Sequence, residues 1–243
     1  GFESGSNQTT ASANTFLGWK AGGLGIVTGG TNVGVGTQAL YDLTSGANNV
    51  SMGYRSAYEL TTGDKNIAIG TFALTGPDTE DNNLAIGEQA LGGSIAGGEY
   101  NVAVGNYTLD ALTSGDNNVA VGYGAGGAVS TGGASTLVGT FAGGALTTGQ
   151  FSVFVGYGAG DGHDTESSNL GIGFDALGGA VAGGEYNVAV GNNSLDALTS
   201  GDNNVAVGYN AGTSLTTSVQ NTIMGDAAGA VLTTGSGQNT IIG

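Results

Sequence analysis

A short word that opens on asparagine, or twice on serine, and closes on an apolar residue followed by glycine recurs fourteen times along this chain. Its glycines are Gly18, Gly36, Gly53, Gly70, Gly87, Gly105, Gly122, Gly139, Gly156, Gly173, Gly191, Gly208, Gly225 and Gly243, and every interval between neighbours is 17 or 18 positions. So short a stretch cannot bury a core of its own, and each word must be one coil of a solenoid stacked on the next. The expectation is an all-β parallel β-solenoid, a β-roll of about 14 coils. At ~4.8 Å per coil it would be a rod of about 60 to 70 Å. Residues 1–243 are expected to form a single domain. The 51 glycines would suggest a flexible linker if they were scattered, but they are phased with the repeat.

The residue before each closing glycine is always apolar, from Leu17 and Val35 to Met224 and Ile242. Two residues earlier stand mostly β-branched side chains such as Val33, Ile67, Val102 and Val205. Alternation at period two with β-branched residues predicts a short strand, with these two positions turned inward. Between them the residue is small in nine of fourteen coils. On an outward face, a column of alanine and glycine would signal close approach of another backbone. A lateral interface is therefore expected at Ala68, Ala85, Ala103, Ala120, Ala189 and Ala206.

Asparagine starts the word in twelve coils, with Ser135 and Ser152 in the other two. Stacked amides can bond to one another and to turn backbone, so Asn49, Asn66, Asn83, Asn101, Asn118, Asn169, Asn187 and Asn204 are expected to form a structural ladder. Alanine three residues after the glycine predicts a second tight corner. Leu43, Leu60, Leu112, Leu146, Leu198, Leu215 and Leu232, each before a Thr-Thr or Thr-Ser pair, are expected to plug the core. Asn83 to Ala125 returns almost unchanged as Asn169 to Ala211, a duplication of five coils.

At Asn118-Val-Ala-Val-Gly-Tyr-Gly-Ala125 and Asn204-Val-Ala-Val-Gly-Tyr-Asn-Ala211 the word resembles the head repeats of trimeric autotransporter adhesins. It is still more similar to the Asn-x-Ala-x-Gly-Tyr-x-Ala arrays of phage tail fibres and bacterial surface fibres. The resemblance implies a parallel β-roll, often trimeric, on an extracellular fibre or virion.

Charge and composition narrow the partners. Nineteen acids against three bases give a net charge of −16, which opposes nucleic acid and anionic membrane surfaces. The chain has no cysteine, hence neither disulfides nor thiolate chemistry. Its one histidine, His163, rules out a multi-histidine metal site, and no phosphate-loop motif occurs. No enzymatic activity and no cofactor are expected. The acid pairs Asp78/Glu80 and Asp164/Glu166, in related turns, are the only candidates for a cation such as calcium, although no calcium-loop spacing is matched.

The expected partner is the chain itself, as a homopolymer or homotrimer. The phase of the repeat closes if residue 1 follows residue 243. Residues 1–13 would then complete the C-terminal coil of a neighbouring copy by strand addition, with Gly1, Phe2, Phe16, Ile223, Ile241, Ile242 and Gly243 at the axial junction. The alternative is a shaft or head segment that binds a cell-surface glycan through tyrosines such as Tyr107, Tyr123, Tyr157 and Tyr209.

Overall fold

The computed structural model describes all residues except 24, 77–78, 94–97, 180–183 and 233–236. Among the described residues every regular element is a β-strand, and the chain is an all-β parallel β-solenoid with one three-residue strand per coil. Where a single 1–243 domain is the expectation, the chain divides into two compact units, Gly1–Asn118 and Val119–Gly243. The first holds β1 (Thr15–Leu17), β2 (Val33–Val35), β3 (Val50–Met52), β4 (Ile67–Ile69), β5 (Leu84–Ile86) and β6 (Val102–Val104). The second holds β7 (Val119–Val121), β8 (Thr136–Val138), β9 (Val153–Val155), β10 (Leu170–Ile172), β11 (Val188–Val190), β12 (Val205–Val207), β13 (Thr222–Met224) and β14 (Thr240–Ile242).

Within each unit, consecutive strands pair parallel and without slippage, so equivalent repeat positions stack directly. Ala68 lies against Ala85 in the first unit, and Ala189 against Ala206 in the second. The closing glycines from Gly18 to Gly225 stack in the same way, each with φ between 132° and 144°. Side chains avoid that backbone region, and a Cβ here would strike the carbonyl of the next glycine in the column.

The expected orientation of the strand is reversed. Its middle residue faces the core, and the two flanking positions face out. Ala68, Ala85, Ala103, Ala120, Ala189 and Ala206 are all fully buried, so they form no lateral interface. The column is small because another backbone does come close, but that backbone belongs to the opposite wall of the same coil. A Cβ on Gly171 would lie 2.9 Å from the Ala176 carbonyl oxygen, and Ser51 Oγ donates to the Ser56 carbonyl at 2.8 Å. The alanine corner and the leucine plugs complete this narrow core: Ala39, Ala73, Ala176, Leu43, Leu60, Leu112, Leu146, Leu198 and Leu215 are fully buried.

Where the middle strand residue is large, glycine stands six residues later. Phe154 is paired with Gly160, Leu137 with Gly143 and Ile223 with Gly229. Where it is small, leucine takes that later position in six of nine coils, as in Gly171 with Leu177 and Ala189 with Leu195, while Ala57 follows Ser51 and glycine follows Ala120 and Ala206. One volume is thus filled from either wall. Both residue types hold the same left-handed backbone there, with φ of 62° at Gly160 and 55° at Leu177. The pairing also explains Phe16 and Ile223, bulky groups near the two ends of the sequence, whose glycines are Gly22 and Gly229. Ile223 is fully buried inside its coil and is not an axial contact.

In each unit the asparagine column makes a polar spine beside the strands. Asn187 shows the pattern: its Nδ2 donates to the Gly201 carbonyl at 2.9 Å, and its Oδ1 accepts the Asn204 backbone N–H at 2.9 Å. The serine coils keep the backbone link, with Asn169 N–H donating to Ser152 Oγ at 3.3 Å. Because these amides are buried, removing one strands its partners without water. Asn187→Ala is expected to destabilise the second unit by about 3 kcal/mol, as two buried groups lose their bonds. Urea unfolding checks this, and a loss below about 1 kcal/mol would mean the spine is not structural.

Candidate functional site

The reversed strand puts apolar side chains on the outside. The two outward columns comprise Val33 and Val35, Val50 and Met52, Ile67 and Ile69, and their equivalents through Thr240 and Ile242. Among them Ile67 and Ile172 are each 38% exposed and Met224 47%, and most of the others are half-buried only by stacking on their neighbours. None of the 19 acids or three bases lies in either column. A polar or charged pattern is the norm on the solvent face of a one-sided sheet, and large exposed apolar patches mark interaction surfaces.

Aromatic rings border these columns. Trp19, Tyr54, Tyr123, Tyr157, Phe174 and Tyr209 follow the closing glycine directly and are exposed. In the second unit four rings interact in sequence. Tyr123 and Phe141 meet edge to face at 5.4 Å, Phe141 and Tyr157 at 6.4 Å, and Tyr157 stacks on Phe174 at 5.4 Å. On the other border Tyr100, Phe151 and Tyr186 stand exposed on left-handed backbone, with φ of 58°, 58° and 59°. Asparagine suits that conformation, and Asn117 and Asn203 occupy the same place in other coils. Bulky aromatics there carry a conformational cost of about 1 kcal/mol or more.

The glutamate carboxylates of the two acid turns are engaged by their own backbone. Glu80 and Glu166 are buried and turn back on their own loops. Glu166 Oε2 accepts the backbone N–H groups of Asp164 and Thr165 at 2.8 and 3.1 Å, and Glu80 Oε2 accepts that of Thr79 at 3.0 Å. The side chain of Asp164 is exposed, and Asp78 lies outside the described residues. No group of three or more potential ligands that could hold a metal occurs among the described residues. Asp161 and Asp175 have their carboxyl pKa values raised, first by partial burial and then by a neighbouring carboxylate, that of Asp175 and Asp196 respectively.

Of the expected axial residues, Phe2 and Ile242 are strongly exposed, at 71% and 76%, and Phe16 and Ile241 are half-buried. Residues 1–13 lie on the first coil in the repeat's own register. Lys20 N–H donates to the Phe2 carbonyl at 3.0 Å, just as Gln38 N–H does to Trp19 at 2.8 Å. Gly5 N–H likewise donates to the Ala21 carbonyl, and Gln8 bridges Val27. Lys20 pairs with Glu3 at 3.5 Å across these two layers.

The sequence reading singles out Tyr123, Tyr157 and Tyr209 for an exposed role but places the valine and isoleucine columns inside. The signal that finds them is the exchange of size between the middle strand residue and the residue six places later, which fixes the inner wall. No family model, curated protein or solved structure matches the chain. The face itself must carry the functional argument.

Proposed function

We propose that this chain is a structural element of an extracellular fibre whose copies pack side by side through the outward columns of their strands. The observation that carries the proposal is an apolar strand face without a charged residue on a chain of net charge −16. Like-charged copies repel one another elsewhere, and on this face association releases water from β-branched side chains at about 25 cal/mol per Å². Depletion of charge with enrichment of tyrosine and phenylalanine is also the composition of a protein interface core. The resemblance of the repeat word to fibre and adhesin arrays supports an extracellular setting and a homotrimer or homopolymer. Axial joining by strand addition belongs to the same proposal, since residues 1–13 already keep the register of the repeat.

Light scattering with size-exclusion chromatography tests the lateral contact. The chain is expected to be oligomeric, and the double substitution Val188→Glu with Val190→Glu is expected to weaken self-association at least tenfold while each solenoid unit keeps its β-sheet circular dichroism. A monomer at all concentrations would overturn the proposal. Filaments that lengthen with concentration in negative-stain images are the expected sign of axial joining.

The aromatic border gives the glycan-binding alternative its only specific support. In the Tyr123–Phe174 row, however, the rings turn toward one another along the column, and such faces are spent on their neighbours. Packing between copies uses this arrangement better than a sugar platform does.

A further inference from the structure

One turn of the second unit departs from its neighbours. Val129, Leu146, Leu198 and Leu215 plug the core at one repeat position, and in the coil that follows Leu146 that position holds His163. The backbone is unchanged: His163 N–H donates to the Gly160 carbonyl at 3.2 Å, as Leu146 N–H does to Gly143 at 3.1 Å and Leu215 N–H to Gly212 at 2.9 Å. The imidazole therefore hangs where a leucine would. It is fully buried, 5.1 Å from the Phe154 ring, and neither Nδ1 nor Nε2 has a hydrogen-bond partner. A leucine would fill the place without leaving buried polar atoms unsatisfied.

We propose that His163 is an acid-sensitive latch in the second unit: the turn Gly160–Glu166 stays closed while the imidazole is neutral and opens when it takes up a proton. A protonated ring would be a buried charge with two unpaired N–H donors, which the coil can relieve only by exposing it to water.

The surroundings offer little compensation. Strands β9 and β10, on either side, carry no charged residue. The charges nearby are Asp161, Asp164 and Glu166 on the same turn and Asp175 on the next coil. The Glu166 carboxylate favours the charged ring, but it is committed to the N–H groups of Asp164 and Thr165. The Leu177 backbone acts in the same direction at longer range, without an ordinary hydrogen bond to the ring. Burial outweighs both and lowers the imidazole pKa from 6.5 to about 4.

With the folded value below the unfolded one, the unfolded state binds the proton more readily between those limits. The stability tied to His163 is thus fully present above pH 6.5 and is lost as pH falls toward 4. Between pH 7 and pH 5 the opening constant is expected to rise about 20-fold on this account. Asp161 and Asp175 act with the opposite sign, since burial first and a neighbouring carboxylate second raise their pKa values, so protonation favours the folded state.

Comparison with His163→Leu isolates the histidine. Amide hydrogen exchange on the full chain at pH 7 and pH 5, corrected for intrinsic exchange, is expected to show residues 160–166 opening about 20-fold more readily at pH 5 in the natural chain than the same pH change produces in His163→Leu. Equal pH dependence in the two chains would overturn the proposal. A second readout needs no variant, because the chain has a single histidine: its imidazole proton resonance is expected to titrate near pH 4. A midpoint at the ordinary 6.5 would likewise overturn it.

Discussion

Phe154→Ala is expected to cost about 3 to 5 kcal/mol, and Gly160→Leu alone about 2 kcal/mol, yet the two together are expected to cost clearly less than their sum. Phe154 is the largest fully buried side chain among the described residues. Truncating it empties the coil from the strand side. A Cβ on Gly160 would lie 2.5 Å from the Phe154 ring, so a leucine added there with the ring in place has nowhere to go. Remove the ring and the same leucine enters the vacated volume, recreating the Ala189/Leu195 arrangement found two coils further on. The backbone accepts it, because Leu177 and Leu195 already hold φ of 55° and 51° at the equivalent position. Recovery will be incomplete, since Phe154 also touches His163 and lies against the neighbouring coil at Gly171. Urea unfolding of the four chains gives the coupling energy, expected to be at least about 2 kcal/mol. Additive losses would show that the two walls do not share one volume.

The second large effect is expected at the closing glycines. Gly139→Ala is expected to destabilise the second unit by about 4 kcal/mol, although it adds only a methyl group. Two costs combine. The residue holds φ of 137°, a conformation reserved for glycine at about 1 to 3 kcal/mol for any other residue. The new methyl would also run into the Gly156 carbonyl, which can move away only by breaking the stack, a further cost of about 1 to 3 kcal/mol. As a control, Ser130→Ala lies on a turn of the same unit, and its hydroxyl, which donates to the Thr147 carbonyl at 3.2 Å, should account for a loss of about 1 kcal/mol or less. Thermal unfolding of both variants separates the two cases. Equal small shifts would mean that the glycine column records history rather than necessity.

The position of every strand was legible in the sequence because two independent periods, two residues along the strand and the coil length itself, fall in phase at Val102-Ala-Val104 and its equivalents. Which side faced inward was not legible from the same data. Period two yields two assignments of equal regularity, and ranking them by hydrophobicity places Val102 inside and Ala103 outside. In a coil this thin the rule inverts: where a leucine fills the core six residues later, as Leu109 does for Ala103, the inward place on the strand has room for a methyl group and not for an isopropyl. The asparagine row was readable because a buried amide recurring at one position has few uses other than bonding to its own copies. His163 was visible only as the sole histidine. Its place in the leucine column follows from counting one coil on from Leu146.

The longer coils keep the same strand pairing as the shorter ones, as Leu84 opposite Val102 shows. In the coil that begins at Asn83, the additional residue enters after Leu91 and before Gly98, since the bonds Leu91 N–H to Thr108 O and Asn83 Nδ2 to Gly98 O bracket it. In this coil the extra length is therefore taken up between those two bonds while the strand pairing is kept. A scaffold that adds length without shifting its strands can acquire new loops, by evolution or by peptide grafting, and vary what it displays while its stacking stays the same.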